Sequence, residues 1–111
     1  MTNLQRLLLA IEIDLSQEEL AVYLEENDLK PHDEYIATSQ TNKRNIYKTA
    51  LSILESVANN TSRMKNYKED DMSVTDFHEN LMARIDQLER TIRTMKTDEE
   101  ISQSNVFFLF G

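Results

Sequence analysis

Four groups of side chains have the types that could do chemistry. His32 stands beside Asp33 and Glu34, His78 stands alone, Asp70 adjoins Asp71, and Arg63, Lys65 and Lys68 surround Tyr67. The first group offers an imidazole and two carboxylates to a metal. Zinc sites, however, draw on several His or Cys at set spacings, and the chain has no cysteine. A solvated loop histidine is the simpler reading of His32, and a surface residue in the first turn of a helix that of His78. Asp70 and Asp71 have the composition of an acid–base pair, but neighbours on a polar stretch do not hold one geometry. Phosphate-cradling loops need glycines, and Gly111 is the only one. The expectation is therefore no enzyme, no metal and no cofactor.

The basic group around Tyr67 suits contact with a nucleic-acid backbone, but Glu69, Asp70 and Asp71 follow at once and repel phosphate. Arg63, Lys65, Tyr67, Lys68, Asp70 and Asp71 read better as an arm that meets protein. Net charge over the 111 residues is −8, which also argues against backbone affinity. Residues 1–29 carry seven acidic and one basic side chain, residues 30–68 three acidic and seven basic, and residues 69–111 ten acidic and four basic. A basic middle between acidic ends can pair within one fold or between copies; a solvated mixed surface is the plainer alternative.

These residues must be positioned by helices. Few Gly and Pro, many Leu, Glu, Lys, Asn and Gln, and an apolar fraction of 40% point to an all-α single domain with a thin core. Leu4, Leu7, Leu8 and Ile11 make the stripe of a first short helix over Leu4–Ile13. Ser16 with Glu19 is a capping box, and Leu15 with Leu20 a staple, for a second helix from Gln17 to about Asn27. That helix buries Leu20, Leu24 and either Val22 or Tyr23, and Pro31 bars its continuation. Residues 33–37 suit one helical turn, and residues 38–42 a loop with several candidate caps.

A central helix spans Asn42 to about Arg63 on Ile46, Ala50, Ile53, Leu54, Val57 and Thr61, widened by Tyr47 and Leu51. Residues 64–74 then read as an extended arm or loose hairpin. Ser73 or Thr75 caps a fourth helix with a seam at Phe77, Leu81, Ile85, Leu88, Ile92 and Met95, laced by Asp86–Arg90 and Glu89–Arg93 pairs. The expected fold is a small four-helix bundle over 1–97, with a polar arm between helices 3 and 4. An acidic tether and an apolar C-terminal tail occupy 98–111.

The tail holds three of the four phenylalanines, in SNVFFLFG. No stretch approaches the roughly 20 apolar residues of a membrane helix, and the leading Leu7–Ile11 run is too soon acidic for a secretory signal. Burying Val106, Phe107, Phe108, Leu109 and Phe110 is worth on the order of 8 to 12 kcal/mol. Ordering eight residues costs a comparable sum at about 1 to 2 kcal/mol each. Packing back on its own helices is thus marginal without a ready groove. The tail reads better as a tethered segment that docks on another protein.

The stretch TALSILESVANNTSRMKNYKEDDMSV (49–74), followed by FHENLMARIDQLERTIRTM (77–95), resembles the small head–tail connector, or adaptor, proteins of tailed bacteriophages. Asp70-Asp71 stands where that family more usually has a glycine. The resemblance implies a helical structural subunit of the virion neck, made in the bacterial host cytoplasm. It would form a homo-oligomeric ring below the portal protein, with a downstream tail or stopper protein as its next neighbour. DNA would pass through without specific binding, and a C-terminal extension would grip the portal. A small helical regulatory or adaptor module binding a protein through its tail is the main rival, and an acidic DNA mimic the third.

Overall fold

The computed structural model describes residues 1–68 and 71–103, and they are all-helical. The helices are α1 (Asn3–Ile11), α2 (Gln17–Glu26), α3 (Gln40–Ala58), α4 (Thr61–Tyr67) and α5 (Val74–Thr94). A further short helical segment covers 98–103. The only β pairing among the described residues is an isolated antiparallel bridge between Thr2 and Glu34.

Capping decides most of the boundaries. Thr2 and Gln5 form a reciprocal capping box on α1, with each side chain accepting from the other residue's backbone N–H. Ser16 caps α2 by accepting from the Glu19 N–H at 3.2 Å. The second half of the expected box is absent, because the Glu19 carboxylate faces Arg63 instead. Ser39 caps α3 and Ser73 caps α5 in the same way, at 3.1 and 3.0 Å. With no glycine at hand, the chain leaves α1 through Glu12 (φ 56°) and α2 through Asp28 (φ 63°), both left-handed.

Three expectations are corrected. The long central helix and its four-helix bundle give way, among the described residues, to α1–α5 and the short 98–103 segment, because the helix divides at Asn59-Asn60. Asn60 turns extended and its side chain accepts from the Arg63 N–H at 3.1 Å, capping a separate helix, α4. Accordingly the extended arm expected over 64–74 is helical from Met64 to Tyr67. Met64, 5% exposed, anchors that helix in the core, which a solvated arm would not allow. Glu69 and Asp70 lie outside the described residues. Residues 33–37 form turns and the bridge rather than a helical turn.

The core has two lobes strung along α3. Ile46, Ala50 and Ile53 pack with Leu4, Leu7 and Ile11 of α1 and Leu20 and Leu24 of α2. Leu54 and Val57 pack with Met64 of α4 and Leu81 and Ile85 of α5. Leu88 touches both lobes. Of the two α2 candidates, Tyr23 packs on the core while Val22 is 53% exposed. The entry to α1 is held by a buried amide relay. Asn3 Nδ2 donates to the Lys30 carbonyl, its Oδ1 accepts from Asn42 Nδ2, and Asn42 Oδ1 accepts from the Ile36 N–H.

Candidate protein-docking sites

Residues 98–103 do not leave the bundle freely. The Asp98 carboxylate accepts from the Ser39 hydroxyl at 2.6 Å and from the Gln40 N–H at 2.8 Å, and the Asp98 N–H donates to the Thr41 hydroxyl. A carboxylate here meets the orphan amides and positive dipole end of α3. The Ser39 hydroxyl, then the Gln40 amide, hold the Asp98 pKa below the ordinary aspartate value. Thr97 in turn caps 98–103, accepting from the Glu100 N–H. The root of the C-terminal segment is therefore clasped to the start of α3. Val106, Phe107, Phe108, Leu109 and Phe110 lie outside the described residues.

The basic group around Tyr67 is divided by the fold. Arg63 turns inward: one guanidinium nitrogen donates to Ser56 at 3.2 Å and another stands 3.6 Å from Glu19 of α2. The Tyr67 hydroxyl, followed by Tyr23 and Glu19, raises the Arg63 pKa above the ordinary arginine value despite partial burial. Tyr67 packs on the second core lobe. Lys65 and Asp71 are exposed and Lys68 half-buried, so only part of the expected arm faces solvent. Arg63 joins α4 to α2, and Tyr67 joins it to the core.

His32, Asp33 and Glu34 are exposed, and Glu34 is engaged by the chain's N-terminal ammonium at 3.0 Å. Among the described residues no group of three or more His, Cys, Asp or Glu is placed to hold a metal ion.

A cleft of about 370 Å³ between α1 and α5 was not foreseen. Its floor includes Tyr47 and Leu88, and its rim includes Arg6, Leu9 and Arg84. Arg84 reaches across from α5 to donate to the Ala10 and Ile11 carbonyls at 3.2 and 2.8 Å, closing the C-terminal end of α1 with a cation. Arg6 stands over the Tyr35 and Tyr47 rings at 5.4 and 5.7 Å, and Lys43 over Tyr47 at 6.0 Å. Leu9 is 62% exposed beside them. The sequence did hold a signal for it: Leu9 is the one leucine of the LLL run off the buried stripe.

Opposite in charge is α2, with four glutamates and no lysine or arginine. A second concavity, about 360 Å³, lies between α2 and α4 and is lined by Glu19, Val22, Tyr23, Glu26 and Arg63. Among the described residues no helix is long and apolar enough to cross a membrane. No protein-family model, curated protein or solved structure matches the chain.

Proposed function

We propose that the chain is a structural assembly protein that docks on a protein partner through residues 106–110. In its specific form it is a head–tail connector, forming a ring below a phage portal and linking it to the tail. One observation carries the docking reading. The Asp98 clasp fixes the root of the C-terminal segment, at residues 98–103, against the start of α3. A fixed root lowers the entropy lost when the run is captured. The connector form rests on the sequence resemblance over 49–74 and 77–95.

The test is deletion of residues 106–111, with light scattering for complex mass and circular dichroism for helicity. The truncated chain should keep its helicity and lose association with a purified portal ring. Undiminished association would overturn the docking role of the tail. A small one-to-one complex in place of a high-order ring would favour a regulatory adaptor over a connector.

A further inference from the structure

Two surfaces of the protomer each present an exposed aliphatic side chain beside charged groups, mainly cations on one and mainly carboxylates on the other. On the α1/α5 side, Leu9 is 62% exposed and lines the cleft with Arg6 and Arg84, Glu12 being the one carboxylate of that lining among the described residues; Lys43 stands over the Tyr47 ring that the cleft also includes. On the α2 side, Val22 is 53% exposed, with Glu18 and Glu19 one turn before it and Glu25 and Glu26 one turn after. Glu18, Glu25 and Glu26 enter no ion pair among the described residues, and the one cation at that surface, Arg63, is already matched by Glu19. Single exposed aliphatics are ordinary; two of them set in complementary charged, concave surroundings are a specific arrangement.

The surfaces belong to different helix pairs around α3, one between α1 and α5, the other between α2 and α4. Pairing like with like would set cations on cations or glutamates on glutamates. Only the head-to-tail arrangement is complementary, and a head-to-tail contact propagates from copy to copy, closing into a ring or extending as a filament according to its rotation. We propose that a second copy of this chain is the occupant. Leu9 of one protomer enters the Val22–Tyr23 concavity of the next, and the Arg6–Arg84 rim faces the glutamates of α2. This deepens the assembly reading and rests on it for its role, but its test uses neither the tail nor a portal.

The test is sedimentation velocity of the full-length chain over a concentration series, with Leu9→Glu and Val22→Lys. Both positions are solvent-exposed, and helicity by circular dichroism checks folding. Wild type should associate, less at about 0.5 M salt, where exposed charges are screened beyond a few ångströms. Each variant alone should need at least about tenfold higher concentration for half-association. An equimolar mixture should reassociate, because Val22→Lys retains an intact cleft and Leu9→Glu an intact α2 face. A mixture that stays monomeric, a single variant that associates like wild type, or a wild type monomeric throughout the series would each overturn the proposal. Loss of portal binding on tail deletion with self-association intact would bear on the tail alone.

Discussion

Single residues hold this fold where glycine would usually help. Glu12 and Asp28 take left-handed backbone at helix ends, a conformation that costs non-glycine residues roughly 1–2 kcal/mol. Local bonds offset it: the Glu12 N–H donates to the Leu8 carbonyl, and the Leu29 N–H to the Leu24 carbonyl at 2.9 Å. The Asn3–Asn42 relay is costly to disturb, because Asn3 is 3% exposed and satisfied at both ends of its amide. Asn42→Ala strands the Asn3 side-chain oxygen, whereas the exposed Ile36 N–H turns to water. The substitution should destabilise the protein by about 1–3 kcal/mol in urea unfolding, with an unchanged m-value. Nothing in the spacing of Asn3 and Asn42 announces their contact, since it forms only once α1 lies beside α3. By contrast Ser16 and Ser73 were legible as cap candidates, and Ser39 lay in a stretch with several, because a cap is satisfied within its own turn.

Among elements, the joint between the C-terminal segment and α3 is the one a change of pH reaches. Asp98 is stabilised as a carboxylate, so its pKa in the folded protein lies below its unfolded value. Its contribution is then fully present above the ordinary aspartate range and disappears as pH falls through the lowered folded value. The Gln40 amide proton, followed by NMR, should report a titration below the ordinary aspartate range that is lost in Asp98→Asn. A Gln40 resonance indifferent to acid in the wild-type protein would argue against the clasp. On α5, Asp86–Arg90 forms at 3.0 Å, whereas Arg93 instead donates to the Glu89 carbonyl. Exposed pairs of this kind contribute only a few tenths of a kcal/mol, so the loss of one changes little. The division of the expected third helix into α3 and α4 was hidden because Asn59-Asn60 is tolerable inside a helix. Tertiary packing of Met64 is what favours the break.

For the whole molecule, α3 is the spine that makes two core lobes one unit. Ile46–Ile53 serve one lobe and Leu54–Val57 the other, with Leu88 touching both. Thermal unfolding should therefore be a single transition, coincident by far-ultraviolet and tyrosine signals. Leu54→Ala, at a fully buried position, should lower stability by about 2–5 kcal/mol without splitting it. Two separate transitions would show that the lobes fold independently. From sequence alone the helical class, the stripes of α1, α3 and α5, and the caps at Ser16 and Ser73 could be read, because each depends on residues within a few positions of one another. The cleft between α1 and α5, the inward turn of Arg63, the Asp98 clasp and the opposed charges around Leu9 and Val22 depend on residues far apart in the chain. Only the packing of helices around α3 brings those groups together, and that packing decides which charges are consumed inside the fold and which remain to meet another protein.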